Sequence, residues 1–297
     1  MNWNRLLDWL GRDRGTILAL SGGGARGLAH IGVLEELERN SLKPDMVTGT
    51  SMGAIIGALY CLHGNSNHLE KTIRSITESD EFQKLELDDL AKSPKGGSRS
   101  FDEWGDHIRR ILMLTKMIHH SSIMGNDLLK GTLERLFEDA TFEDMKIPFI
   151  AMATDLISGE DVHFSNGPLV PAITASASIP GVFPPIKLNG KLLVDGCVTM
   201  NVPIPEEDVH NHKVIAVDVL RALRCDGPYN HGVDILARTD WITQLHLNRF
   251  YLDQADFVIQ PQVKHVHWAD FNNIDGLIQA GQSAVTEKFE KIKNLMN

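Results

Sequence analysis

The sequence predicts an α/β fold in which helices cover both faces of a mostly parallel central sheet. Two strand–glycine turn–helix units follow one another near the start of the chain, and further short apolar runs return after residue 147. The 297 residues are 42% hydrophobic and 23% charged, which is typical of a globular protein with a sizeable core. This composition excludes disordered, collagenous and coiled-coil chains.

The first unit begins with the apolar run Thr16–Leu20, which predicts a buried strand. A glycine-rich turn at 21–27 follows, and apolar residues then recur at helical spacing from Leu28 to Leu37. We therefore expect a strand that turns sharply into a helix.

The second unit repeats this pattern after Pro44, which ends the first helix. Met46–Thr48 predicts a second buried strand, the turn at 49–53 follows, and Ala54–Leu62 predicts an apolar helix. Such alternation produces a parallel sheet, and ligands of such sheets bind at the carboxyl ends of the strands.

The rest of the chain divides into a main domain at 16–271, an N-terminal amphipathic segment at 1–15 and a C-terminal helix at 272–297 that packs on the domain. Residues 63–145 are mostly helical and polar in pattern, which predicts an insertion or lid within the main domain. Further strands are predicted at 148–154, 191–195, 214–219 and 257–259.

Composition also restricts partners and location. The chain carries 29 basic and 39 acidic residues, a formal net charge of −10, which argues against nucleic acid and against lasting attraction to an anionic bilayer. Cys61, Cys197 and Cys225 are few and widely spaced, which favours a reducing compartment. With no signal-peptide core and no apolar run of about 18 residues, the expected location is the cytoplasm.

The N-terminal segment leaves one alternative open. Trp3, Leu6, Leu7 and Leu10 share one helical face, and the lack of a basic cluster favours docking on the protein itself or on a second subunit over transient contact with a membrane surface. The oligomeric state is not indicated.

Residues 22–27 match the pattern G-x-G-x-x-G of dinucleotide-binding turns. A dinucleotide site also needs an acidic side chain at the end of the second strand, but Asp45 precedes that strand and Gly49–Ser51 follow it. A dinucleotide-dependent oxidoreductase therefore stays a remote alternative.

The second turn, 49–53, matches G-x-S-x-G, in which a sharp turn between strand and helix exposes a serine hydroxyl. Ser51 is therefore the candidate nucleophile, and Gly49 and Gly53 leave room for the tight turn. The main-chain N–H groups of Gly22, Gly23 and Gly24 could stabilise an oxyanion, or alternatively bind a phosphate. Arg26, inside the first turn, is expected to position that loop.

A serine nucleophile needs a base. The pairs His210 and His212, and His265 and His267, lie in no recognisable catalytic or metal-binding context. Asp195 instead ends a predicted strand and precedes Gly196, a place from which a carboxylate can project into a cleft.

Together these motifs resemble the patatin-like phospholipases, specifically their compact bacterial members. Residues 22–27 are similar to the oxyanion loop of that family, with Gly27 closing it, 49–53 to its nucleophile turn, and Asp195–Gly196 to its dyad aspartate. Residues 175–185 resemble a further family block, and the resemblance extends from about Thr16 to Phe271. The chain departs from the pattern at Cys197, where glycine or alanine is usual.

The resemblance implies a patatin-like fold and a Ser51–Asp195 dyad that hydrolyses lipid esters through an acyl-enzyme, as a phospholipase A or lysophospholipase. An acyltransferase and a non-catalytic acyl-binding regulatory protein are the alternatives on the same fold. The methionine-rich segment 111–118 could line or cover an acyl channel, or simply pack as a helix. We expect no metal and no cofactor, since no calcium-loop pattern is present and the chemistry has no metal step.

Overall fold

The computed structural model describes residues 15–79, 82, 121–204, 212–220, 222, 229 and 231–296. Within these residues one eight-stranded sheet has the order β5-β6-β3-β2-β1-β7-β8, and β4 pairs with β3 outside this path. The strands are β1 Thr16–Leu20, β2 Met46–Thr50, β3 Phe149–Asp155, β4 Asp161–Phe164, β5 Ile186–Leu188, β6 Lys191–Asp195, β7 Lys213–Val217 and β8 Phe257–Ile259.

The sheet is parallel in its centre and antiparallel at one end. β1 pairs in parallel with β2 and β7, as do β2 with β3 and β7 with β8. β3 pairs antiparallel with β4 and β6, and β5 pairs antiparallel with β6. The predicted mostly parallel α/β sheet is confirmed, with an antiparallel extension that the strand–helix alternation did not predict.

Helices lie on both faces of this sheet. The described α-helices are α1 Ala29–Arg39, α2 Met52–His63, α3 Leu69–Thr77, α4 Asn126–Phe137, α5 Leu169–Ser176, α6 Gly232–Leu252, α7 Ile274–Thr286 and α8 Phe289–Met296. Leu18 and Leu20 of β1 face a core shared with α1, α2 and α7, whereas Ile17 and Ala19 face a smaller core that includes Tyr251 of α6. A strand buried on both faces reads as a continuous apolar run, as β1 does.

The closing segment differs from the single helix expected at 272–297. The chain bends between α7 and α8, and the fully buried Ile292 of α8 packs into the main core. α8 contacts β7 as well as α7.

Several predicted features lie outside the described residues. These are nearly all of the N-terminal segment, about half of the insertion including 111–118, His210 and Cys225. Of the insertion, the structure describes α3, Phe82 and α4, which are consistent with its helical pattern. Among the described helices, none combines the length and apolar character needed to cross a bilayer.

Candidate active site

The main-chain pairing of β3 brings Ser51 and Asp195 together. Thr50, the last residue of β2, pairs with Met152 of β3, and Asp195, the last residue of β6, pairs with the next β3 residue, Ala153. Both pairings lie on the same edge of β3, because β4 occupies the other edge along this stretch. β2 runs parallel and β6 antiparallel to β3, so their carboxyl ends meet head to head.

Ser51 sits in a strained turn directly after β2. Its φ of 55° and ψ of −122° lie where residues with a side chain are rarely found. The turn is tight, because a Cβ on Gly53 would overlap the main-chain oxygen of Leu20 and one on Gly49 would lie 2.5 Å from Gly53 O. This geometry lifts the serine side chain above the start of α2, as expected for a G-x-S-x-G turn.

The glycine loop lies beside this turn. Gly22 N–H donates to Asn201 O at 3.0 Å, a bond that competes with the oxyanion role expected of it. Gly23 and Gly24 stand at the start of the short 3-10 helix 24–28, where the first N–H groups have no partner within the helix. Gly24 has a φ of 58°, and a Cβ there would overlap Trp268 O.

Arg26 is buried and donates from Nε to Val219 O at 2.9 Å and from Nη1 to Val266 O at 3.2 Å. These carbonyls belong to the segments after β7 and β8, so the guanidinium ties the loop to two neighbouring chain segments. Gly27 lies against the side chain of Met52 at the start of α2. The contacts of Arg26 are those of a residue that positions a loop.

His30 lies beneath the same loop and was not singled out from the sequence. Its Nε2 is 2.8 Å from Ser21 O and therefore carries the proton, since a carbonyl can only accept. Burial lowers the pKa of His30 to about 4, although the bond to Ser21 opposes this. The ring is thus a neutral support on the carbonyl that precedes Gly22.

Asp195 is almost fully buried, and burial raises its pKa to about 6. The Ser51 hydroxyl, the Cys197 N–H and the Cys197 thiol oppose this rise by favouring the ionised form. Oδ1 accepts the Cys197 N–H at 2.9 Å, whereas Oδ2 completes no regular hydrogen bond in the described part of the chain. A carboxylate with one free oxygen beside a serine hydroxyl can act as a base near neutral pH.

Gly196 and Cys197 follow Asp195 in the short 3-10 helix 196–198. A Cβ on Gly196 would lie 2.7 Å from Met152 O of β3, so the chain passes closely over that strand. The Cys197 thiol lies against Gly22, and burial raises the pKa of the thiol. A protonated thiol is a weak nucleophile, which favours Ser51 over Cys197 in that role.

The block at 175–185 physically links the two strand ends. Ser51 N–H donates to Ser176 Oγ at 3.0 Å, and Asp195 N–H donates to Ser178 O at 3.0 Å. The sequence identifies this block by its resemblance to the family but gives no role to Ser176. The position of the block between the serine and aspartate motifs was the signal that its residues could contact both.

A mainly apolar pocket opens beside Ser51, with an empty volume of about 800 Å³. Carbon-rich side chains of α3 and α4 form one side, and Trp268 and Phe271 contribute from the segment after β8. The two buried threonines of the lining, Thr77 and Thr132, donate their hydroxyls to carbonyls of their own helices.

Two described histidines of the His-x-His pairs contact other parts of the chain. His212 lies beside Gly15, which precedes the amino end of β1. Ser51 follows the carboxyl end of the parallel strand β2, so the two residues lie at opposite ends of these strands. His267 Nδ1 accepts the Ala269 N–H at 3.2 Å. The group that interacts with the Ser51 hydroxyl is the carboxylate of Asp195.

Comparison with known proteins agrees with this architecture. A family model described as patatin-like phospholipase matches residues 18–208. Neuropathy target esterase sws of Drosophila melanogaster is 32% identical over 224 residues, which are 73% of this chain and 14% of that protein. An uncharacterized NTE family protein of Mycobacterium bovis is 31% identical over 204 residues, which are 68% of this chain and 48% of that protein.

The chain thus spans less than half the length of either relative. Among solved structures, VipD from Legionella pneumophila has a TM-score of 0.51 at 15% identity, covering 95% of this chain and 67% of that one, which shows a shared fold. With the family model matching well over half of its residues, the chain belongs to the patatin-like phospholipase family.

Proposed function

We propose that the protein is a serine esterase that hydrolyses carboxylic esters of lipids, of the phospholipase A or lysophospholipase type. The observation that carries the proposal is the meeting of Ser51 and Asp195 at the abutting ends of β2 and β6. Family membership supports the same activity.

In the first half-reaction, Ser51 Oγ attacks the ester carbonyl while its proton passes to Asp195. The free Oδ2 of Asp195 and the raised pKa suit it to receive this proton. The N–H groups of Gly23 and Gly24 stabilise the developing oxyanion, and Gly22 positions the loop through its bond to Asn201. The alcohol then leaves with the proton, and an acyl-Ser51 ester remains.

In the second half-reaction, water attacks the acyl-Ser51 carbonyl and gives a proton to Asp195. The bond between the acyl carbon and Ser51 Oγ breaks, the carboxylic acid leaves, and the proton returns to the serine oxygen. Asp195 therefore serves both steps in opposite directions.

The pocket beside Ser51 supports an aliphatic acyl group as the part of the substrate that is bound. Because the hydroxyls of Thr77 and Thr132 are satisfied within their own helices, these residues present mainly their carbon atoms to the pocket. An alkyl chain gains free energy from leaving water for such a surface, whereas a charged head group would lose its hydration. The acyl chain therefore occupies the pocket and the head group stays outside it.

The direct test uses Ser51→Ala and Asp195→Asn with a short p-nitrophenyl ester. Each substitution is expected to abolish hydrolysis, since one removes the nucleophile and the other the base. Circular dichroism and thermal unfolding check that both variants stay folded. Wild-type activity in either folded variant would contradict the dyad.

Two further measurements separate the alternatives. A fluorophosphonate probe is expected to label wild-type protein at Ser51, which a non-catalytic acyl-binding protein or an oxidoreductase would not show. Products formed from a mixed lipid extract, with and without an added alcohol acceptor and with Ser51→Ala as blank, distinguish a hydrolase from an acyltransferase.

A further inference from the structure

A chain of buried amide and carboxylate groups runs from the end of β7 to the candidate site. Asp218, directly after β7, accepts the Leu220 N–H at 3.1 Å and Gln260 Nε2 at 2.9 Å. Asn248 of α6 donates from Nδ2 to Asp218 Oδ1 at 3.3 Å, and Asn201 donates from Nδ2 to Asn248 Oδ1 at 3.0 Å. Asp218, Asn248 and Asn201 are all more than nine-tenths buried.

The direction of this chain is fixed by chemistry. A main-chain N–H can only donate, so Asp218 acts as an acceptor at its Oδ1 and requires the NH₂ group of Asn248 on that side. Asn248 Oδ1 therefore faces Asn201 and accepts a hydrogen bond from the NH₂ group of Asn201. Asn201 is therefore held with its side-chain oxygen pointing away from Asn248.

That oxygen is a second buried acceptor close to Ser51. Asn201 Oδ1 is buried and has no hydrogen-bond partner in the described part of the chain, like Asp195 Oδ2. A Cβ on Gly22 would lie 3.2 Å from Asn201 Oδ1 and 3.1 Å from Ser51 Cβ, so both atoms adjoin the same point of the glycine loop. In the acyl-enzyme Ser51 Oγ carries no proton to donate, so Asp195 Oδ2 and Asn201 Oδ1 are two buried acceptors that match a small molecule with two hydrogens to donate.

We propose that Asn201 is the residue that positions the water for the second half-reaction, by accepting one of its hydrogens while Asp195 accepts the other. The inference rests on the proposed esterase function and deepens it, since it names what directs the acyl group to water. The Cys197 thiol lies against Gly22 as well, beside Ser51 Cβ and Asn201 Oδ1.

The water oxygen forms a bond to the acyl carbon, the proton that it shared with Asp195 moves to that carboxylate, and the other hydrogen stays on the new carboxylic acid. The bond from carbon to Ser51 Oγ breaks, and Asp195 returns the proton to Oγ. Asn201 Oδ1 exchanges no proton and only orients the water oxygen towards the carbonyl.

This role differs from that of an oxyanion donor. A donor would have to present the NH₂ group of Asn201 to the substrate, and the network directs that group to Asn248 instead. The contribution of Asn201 to the oxyanion loop is its main-chain oxygen, which holds Gly22 N–H and which a side-chain substitution leaves in place.

The test is Asn201→Leu, which keeps the shape of the side chain and removes the acceptor. We expect acylation, measured as the fast release of p-nitrophenol before steady state, to stay within about threefold of wild type. Deacylation is expected to slow about tenfold or more, as for loss of one hydrogen bond in a transition state. The acyl-enzyme should accumulate in mass spectra of the intact protein.

A second readout is the choice of acceptor. With methanol added, the Asn201→Leu acyl-enzyme should form more methyl ester relative to free acid than wild type, because water has lost its oriented place. Gln244→Leu is the control, since it removes an exposed amide that donates to Asp240 of its own helix and is not part of the network. It should leave both rates unchanged.

The double variant Asn201→Leu/Asn248→Leu removes both facing amides, so that no Asn248 oxygen is left unpaired, and should show the same selective defect. If the single variant folds poorly, the double variant tests the role of Asn201 in its place. Equal loss of acylation and deacylation would assign Asn201 a purely structural role and overturn the proposal, as would normal deacylation. A wild-type protein that forms no acyl-enzyme would instead contradict the proposed function.

Discussion

At the scale of single residues, the environment of Asp195 decides whether a Ser–Asp pair can work. An aspartate with an ordinary pKa is a weak base, and removal from water raises its affinity for a proton. Here burial raises the pKa to about 6, while Oδ1 stays anchored by the Cys197 N–H and thereby keeps the carboxyl group oriented. Burial thus supplies the basicity that the residue type lacks.

The first prediction concerns the dependence of activity on pH. Asp195 must be ionised to accept the Ser51 proton, so kcat/KM for a p-nitrophenyl ester should fall as the pH drops below about 6. Well below that value the loss should approach tenfold per pH unit. A profile that stays flat down to pH 5 would show that another group acts as the base.

The second prediction concerns stability. Because the pKa of Asp195 is raised from 3.8 to about 6, the folded protein binds more protons than the unfolded chain between these values, and stability falls as the pH rises through this window. Asp195→Asn removes the buried charge and should increase the free energy of unfolding at pH 8 by about 1–3 kcal/mol. Urea unfolding at pH 8 and pH 4 checks this, and the gain should shrink at the lower pH.

Sequence analysis could identify Ser51 and Asp195 because each sits in a short motif with its own chemical meaning. Two supports that lie outside those motifs, Ser176 and Asn201, could not be identified in this way. Ser176 reaches the Ser51 N–H from 125 residues away, and Asn201 reaches Gly22 from beyond the aspartate. The family block at 175–185 marks the neighbourhood of Ser176, but neither residue has a spacing rule of its own, so only the fold shows what they contact.

At the scale of elements, the turn between β2 and α2 is the most constrained piece of the fold. The positive φ of Ser51 carries strain that close packing of the flanking glycines must hold in place. Gly53 lies so close to the end of β1 that its Cα leaves no space for a side chain. The turn therefore depends on main-chain contact between two strand–helix units.

The third prediction follows from this contact. Gly53→Ala should lower the free energy of unfolding by about 1–3 kcal/mol or more and reduce esterase activity, because the added methyl group overlaps Leu20 O and displaces Ser51. Gly131→Ala in α4 is the matched control, since no atom lies within 4 Å of its added Cβ. That variant should be as active as wild type and up to about 1 kcal/mol more stable. Equal effects of both substitutions would contradict the tight packing of the turn.

The antiparallel strands differ in how clearly the sequence indicates them. Asn189–Gly190 joins β5 to β6 with φ values of 50° and 78°, as in the two-residue hairpin turns that favour this dipeptide. This signal was present in the sequence. β4 is different, since its four partly exposed residues are too few to show a clear alternation.

At the scale of the whole molecule, the site joins parts of the chain that lie far apart in sequence. The first third supplies the glycine loop, the nucleophile turn and α3, the middle supplies α4 and Asp195, and the last third supplies Trp268, Phe271 and Asn248. The predicted fold class explains why the glycine loop and nucleophile turn share one end of the sheet. The pocket could not be predicted, because its walls depend on how the insertion helices pack against the segment after β8.

The fourth prediction concerns the length of acyl chain that the pocket accepts. Leu136→Trp places a larger side chain in the wall of the pocket on α4, so the ratio of kcat/KM for p-nitrophenyl dodecanoate to that for the butyrate should fall about tenfold or more. Leu236→Trp is the control for the same exchange, because Leu236 on α6 is 70% exposed and lies outside the pocket lining. An unchanged ratio in Leu136→Trp would exclude this pocket as the acyl site.

The meeting of two strand ends on β3 also bears on how the family can change in length. Thr50 and Asp195 pair with consecutive residues of β3. Hydrogen bonding to this one strand therefore sets the distance between the serine and the aspartate. Residues can be gained or lost in the insertion between α2 and β3 without altering their separation. Such a design lets evolution remodel the substrate entrance while the reacting pair stays in place.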